Sequence, residues 1–360
     1  VEGHKGALVK RAVLISGLVI VALLLSVPGA SLYYESGGGK GCVSCHEMET
    51  LFDTWHSSSH RGIPCQKCHG GALTMDASFH WNNAARVYSH LRGELPERIG
   101  FPNKYVQTMV ARCQDCHRQE YAAWQTGPHG SSYARIFLDK TFNSKNMLMD
   151  DCLRCHGMHF EGGIRDLVAP VNRSGPWRLV RPELANMPAM PCLTCHEMHR
   201  EGPPLKKAGA EARVVPGPSQ EIMRPSLALF DRRTEQYIPV AELPMPAMLE
   251  GTRTVKMSPD RRQALCYQCH APVATMQVGS GDDRTGLGVH EGISCLACHA
   301  QHGQTTRASC ATCHPKMSNC GLDVEKMDTT FASKNSKHNV HWVKCLDCHT
   351  KGVPKKKQVG

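Results

Sequence analysis

Cys42-Val43-Ser44-Cys45-His46-Glu47-Met48 opens a pattern that organises the whole chain: two cysteines three apart, with a histidine directly after the second. The same form returns at Cys65-Cys68-His69, Cys113-Cys116-His117, Cys152-Cys155-His156 and Cys192-Cys195-His196. After a gap it continues at Cys266-Cys269-His270, Cys295-Cys298-His299, Cys310-Cys313-His314 and Cys345-Cys348-His349. Nine repeats absorb all but one of the 19 cysteines and nine of the 21 histidines. The 360 residues are only 6% aromatic, so little material is left for ordinary cores. Cysteines spaced this way are not a disulfide framework, and an ordinary enzyme domain does not carry so many such turns.

Cys-x-x-Cys-His is the spacing of covalent haem c attachment, in which two thioethers hold the macrocycle and the adjacent histidine binds the iron. Zinc also takes paired Cys-x-x-Cys, but its sites do not require a histidine after every second cysteine. A thioredoxin-like redox role uses one such motif rather than nine. The sequence therefore predicts nine haem c groups with their iron, the cysteines attaching them and His46, His69, His117, His156, His196, His270, His299, His314 and His349 as proximal ligands.

An electron-transfer haem takes a sixth ligand, usually histidine or methionine. With His4 set aside, eleven histidines remain for nine irons. For any one of them a surface or hydrogen-bonded imidazole is the bland reading. As a set of eleven, about eight read as distal ligands, drawn from His56, His60, His80, His90, His129, His159, His199, His290, His302, His338 and His341. His159, His199 and His302 each follow a proximal histidine by three. On a helix such residues share a face. The second histidine therefore cannot swing round to the opposite side of its own haem, and it reaches a neighbouring one instead. Met158 and Met198, beside two of these histidines, read as packing.

Residues 12–34 carry no charge and span about 34 Å as a helix, enough for a hydrocarbon core of about 30 Å. Lys5, Lys10 and Arg11 precede them, and Tyr33 and Tyr34 stand at the far end. A cleaved signal peptide is the alternative. The expectation is a single-pass anchor in the bacterial cytoplasmic (inner) membrane, with the N-terminus in the cytoplasm and the haem region in the periplasm. The expected divisions are 1–35 for the cytoplasmic tip and anchor, 36–200 for a five-motif haem module, 201–262 for a Pro-rich strap and 263–360 for a four-motif module. The expected fold class is mostly α with much irregular coil, one N-terminal transmembrane helix and little sheet. Helices are predicted over 76–92 and 324–344, while the prolines of the strap exclude long helices and central strands. The formal charge of +10 does not imply nucleic acid, because haem propionates bring the total near zero. Cys320, the odd cysteine, reads as an idle thiol.

CVSCHEM and the following WHSSSHRGIPCQKCH, behind an apolar segment, resemble the NapC/NirT/NrfH family of membrane-anchored multihaem quinol dehydrogenases over about residues 8–120. The resemblance implies Met48 as an iron ligand of the first haem, close to a quinol site, and His60 as a further ligand. The chain departs from the family after His69, where GGALTMDASFHW replaces Pro and Lys residues near the quinol pocket, and in having more motifs. The expected function is an electron-transfer subunit. It works between the quinone pool, directly or through a quinone-binding membrane subunit, and other redox subunits or periplasmic cytochromes. The alternative is a multihaem reductase or dehydrogenase of a small nitrogen or sulfur oxyanion, which needs one open iron position. The Cys-x-x-Cys-Lys motif that marks some such enzymes is absent from this sequence.

Overall fold

The computed structural model describes residues 2–35, 43, 46–71, 77–94, 105–200, 226–271, 284–285, 290–299, 302 and 351. Cys42, Cys45, the motifs at Cys310–His314 and Cys345–His349, Cys320, His338, His341, the side chain of His80 and the helix expected over 324–344 lie outside the described residues. The chain divides into two units, one of residues 1–102 with 199–204, the other of residues 103–198 with 205–360.

The first unit is helical: α1 (Glu2–Glu35), α2 (Glu49–Ser57), α3 (Cys65–His69) and α4 (Ala77–Leu91). The expected transmembrane helix is corrected here, because among the described residues no helix is long and apolar enough to cross a membrane. Although α1 is long, its first turns carry Glu2, Lys5, Lys10 and Arg11, and Pro28 lies inside it. The inner-membrane location and the orientation inferred from that helix fall with it. α4 coincides with the helix predicted over 76–92, where apolar residues recur at helical spacing. In α2 the Phe52 and Trp55 rings meet at 5.3 Å, and buried Thr54 turns its hydroxyl back to the Leu51 carbonyl at 2.9 Å.

The second unit holds short helices, α5 (Val106–Cys113), α6 (Arg118–Thr126), α7 (Tyr133–Phe137), α8 (Lys140–Lys145), α9 (Ile164–Leu167) and α10 (Gln263–His270), linked by turns and coil. Its described sheet is limited to three two-stranded antiparallel pairs. These are β1 (Val168–Ala169) with β2 (Arg178–Leu179), β3 (Ala228–Asp231) with β4 (Gln236–Pro239), and β5 (Leu249–Glu250) with β6 (Arg253–Thr254). The expected balance of helix and coil with little sheet therefore holds. In the Pro-rich stretch the described part folds as two hairpins. Pro239 sits at the last position of β4, where its missing N–H costs least. Gly251, at φ 62°, makes the tight β5–β6 turn, a conformation favoured by glycine.

Side-chain caps start two of the short helices. Ser132 accepts the Arg135 N–H at 3.3 Å, and Asp139 accepts those of Thr141 and Phe142 at 2.8 and 3.0 Å. The main core lies under α7 and α9, where Phe137, Leu153, Leu167 and Val168 are fully buried with Tyr133, Phe160 and Leu179. Buried Asn143 donates to the Phe137 carbonyl at 2.9 Å and closes the α7–α8 corner. We predict that Phe137→Ala lowers the stability of the holoprotein by about 3–5 kcal/mol. Denaturant unfolding followed by tryptophan fluorescence reads this directly, and an unchanged midpoint would show that this cluster does not support the unit.

Candidate functional site

Each described motif is a single helical turn. The N–H groups of His117, His156, His196 and His299 return to the carbonyls of Cys113, Cys152, Cys192 and Cys295 at 2.8, 3.0, 3.1 and 2.8 Å. The second cysteine of each donates to the same carbonyl at 3.1–3.4 Å. One turn brings positions i, i+3 and i+4 to one side, so two sulfurs and an imidazole face the same way. α3 and α10 carry the motifs of His69 and His270 in regular helix. The described cysteines of these motifs form no disulfide. Their thiols stand where a haem-bearing chain has thioether sulfurs. The motifs also come together, Cys113 lying beside Cys192, Cys155 beside Cys269 and Cys266 beside Cys295.

Histidines from different parts of the chain meet in pairs. Ring centroids lie 5.4 Å apart for His46 and His90, and 5.9 Å for His69 and His199. In the second unit they lie 6.1 Å apart both for His129 with His270 and for His196 with His302. A metal–imidazole bond is about 2.0 Å, so an ion held between two facing rings sets their centroids about 6 Å apart. In each pair one member is a proximal histidine of the sequence pattern and the other one of the expected distal set.

Orientation is controlled around two of the pairs. His199 Nδ1 lies 3.1 Å from the Leu51 carbonyl. A carbonyl only accepts, so Nδ1 carries the proton and Nε2 keeps the lone pair that a metal needs. Glu47 Oε1 stands 2.5 Å from His90 Nδ1 and 3.3 Å from His46 Nε2. Its own backbone N–H first, then the two imidazoles, hold this carboxyl below its usual range. Glu47 was not among the residues expected from the sequence. Its position directly after a proximal histidine was the only signal.

The remaining expected ligands fall as follows. His159 is 7% exposed and stacks on Phe230 at 4.1 Å. Neither ring nitrogen forms a hydrogen bond of good geometry, the Leu193 backbone being close but poorly aligned. Burial pushes its pKa down to about 4, which keeps the imidazole neutral and able to bind metal. His129 and His156 are lowered by the same cause, with His270 adding to it in both cases. His129 further feels His156, His299 and His302, so five imidazoles share one neighbourhood. The Nδ1 of His156 is buried without a hydrogen bond. His60 is half-buried in the turn before α3, and Met48 caps α2. His117 lies at the start of α6, and His290 begins the turn whose backbone carries Ile293 N–H to its carbonyl at 3.1 Å. His56, one of the eleven candidates, is exposed beside Phe52 and Trp55.

Thioether-forming sulfurs on one turn with an imidazole, facing imidazoles at metal-bridging separation and buried ring nitrogens lacking a partner all fit haem c. The surrounding chain braces these turns through contacts that left no mark in the sequence. Gln263 of α10, buried, accepts the Cys295 N–H at 3.0 Å and the Tyr267 hydroxyl at 3.1 Å. Tyr237 of β4 donates to the Leu193 carbonyl at 2.8 Å, and the Ala228 N–H of β3 to that of Cys195 at 3.1 Å. Trp124 reaches the Met190 carbonyl at 3.1 Å.

The sequence profile of the family described as cytochrome c554 and c-prime matches residues 112–167 and 238–300. Those stretches are about a third of the chain and contain the motifs of His117, His156, His270 and His299. They lie almost wholly beyond the segment that resembles the NapC/NirT/NrfH family. No curated protein and no solved structure matched the chain. The chain is thus a multihaem c-type cytochrome, with covalently bound haem c and iron in an electron-transfer role. We predict that Gln263→Ala costs about 1–3 kcal/mol, because the buried Cys295 N–H loses its acceptor. The lost stability is measured as a lower thermal midpoint with unchanged haem content, and Gln263→Glu restores part of it.

Proposed function

We propose that this cytochrome carries nine haems, one per motif, and passes electrons between redox partners without binding a substrate at iron. The observation that carries this reading is the set of facing imidazole pairs. Haem iron, cycling between ferric and ferrous states, supplies the one-electron chemistry. Two imidazoles on one haem iron would leave no place for an oxyanion, which suits a carrier. His90 is the partner of His46 in this reading, its Nδ1 held by Glu47 and its Nε2 left to bind. Exchange with quinone through a partner subunit is the arrangement that the CVSCHEM resemblance implies, and it is supported by that resemblance.

Iron analysis and intact mass are expected to give nine haems per chain, and electron paramagnetic resonance of the oxidised protein only low-spin signals. A high-spin signal that shifts with nitrite, hydroxylamine or tetrathionate would replace this reading with the reductase alternative. The wild-type spectrum is further expected to lack a methionine–iron charge-transfer band, and His90→Met to introduce one while raising the potential of a single haem. Such a band in the wild type would assign Met48 to the first haem in place of His90.

A further inference from the structure

Three motifs continue as Cys-x-x-Cys-His-x-x-His, and in the fifth the chain leaves the turn at once, His196 pairing with Leu227 and His199 following at a bend. The first histidine of each would serve the haem that its own motif attaches. Two such stretches are described here with the rings that their second histidines face. His199 faces His69, the proximal histidine of the second motif. His302 faces His196, the proximal histidine of the fifth motif. Neither facing residue belongs to the second histidine's own motif.

We propose that the second histidine of each stretch is the sixth ligand of a haem held by a different motif. His199 serves the haem of Cys65 and Cys68, and His302 serves that of Cys192 and Cys195. The proposal rests on the haem reading above and adds to it the rule by which the seats are linked. Four observations support it. The centroid separations of 5.9 and 6.1 Å suit a metal between the rings. The Leu51 carbonyl fixes the tautomer of His199 so that Nε2 is free. The fifth motif, which receives one crossing ligand and gives another, is the one braced by β3 and β4. Finally, His159, the second histidine of the fourth motif, is also buried beside the fifth motif at Leu193 with ring nitrogens lacking good hydrogen bonds.

Motif five is therefore a junction. Its own first histidine and one from motif seven complete one haem, while its second histidine completes another. A ligand substitution at His302 acts on a haem that is attached more than a hundred residues away in the chain.

The test uses the full haem-loaded chain. His302→Met is expected to give one new methionine–iron charge-transfer band at full haem count by intact mass. The same substitution on a chain lacking the fifth haem (Cys192→Ser with Cys195→Ser) is expected to give no band, while on one lacking the seventh (Cys295→Ser with Cys298→Ser) the band persists. The reverse pattern, with the band lost only when the seventh haem is removed, overturns the crossing. A His302→Met spectrum identical to wild type does the same. Where His302→Met does not accumulate, His302→Gly is used; it is expected to show one high-spin haem that returns to low spin with added imidazole. A wild-type chain without nine haems would count against the function proposed above, whereas a mis-assigned band counts against the crossing alone.

Discussion

Bringing imidazoles from distant parts of the chain together is the constraint on which the rest of this molecule depends. It requires two rings to face each other at about 6 Å, although the residues that bear them are far apart in the chain. His46 meets His90, His69 meets His199, His129 meets His270 and His196 meets His302 at such distances. A chain this poor in aromatic residues cannot achieve that by burying large cores everywhere. It concentrates apolar burial under α7 and α9 and in two smaller clusters, and it secures the motif turns by backbone hydrogen bonds. Tyr237, Gln263 and Trp124 spend their polar atoms on the carbonyls and N–H groups of or beside those turns. The buried polar groups of this fold act as braces for the histidines.

The pairs sit in unlike surroundings. His46 has a side chain 72% exposed and a carboxylate neighbour in Glu47, whereas His129, His156 and His159 are buried deeply enough that each is held neutral. Burial disfavours net positive charge, and a nearby carboxylate favours it. Oxidising an iron adds positive charge, so the same two terms act on its potential. An iron held at His46 would be biased toward its oxidised form, and irons held at the buried imidazoles toward their reduced form.

The chemistry of the motifs was legible because it is local. Cys-x-x-Cys-His is one turn, written in five consecutive residues. The helix over 76–92 was legible for the same reason, its apolar period being written in consecutive residues. Which rings face each other was not, since His129 with His270 and His196 with His302 depend on how separate turns pack. Nor could the Pro-rich stretch be read beyond what it excludes. Pro239 closes a strand and Gly251 a turn, and only pairing with β3 and β6 gives those residues their meaning. The N-terminal expectation failed because the absence of charge was read as if it were a continuous apolar span. In the structure Pro28 lies within α1, and among the described residues no helix is long and apolar enough to cross a membrane.

The contacts between motifs also explain why short, irregular elements suffice. A haem attached through two sulfurs and one histidine is already fixed to its turn, so further secondary structure adds little to its position. What must be specified is the approach of the next turn. The turns come close where Cys113 lies beside Cys192, Cys155 beside Cys269 and Cys266 beside Cys295. The fifth motif is held from both sides, by the β3–β4 hairpin at the carbonyls of Leu193 and Cys195 and by α5 and α6 through Val110 and Trp124 against Leu193. Because the backbone there is held on both sides, the imidazole of His196 is presented in a fixed direction. Rigidity at that turn thus sets one side of the 6.1 Å separation from His302.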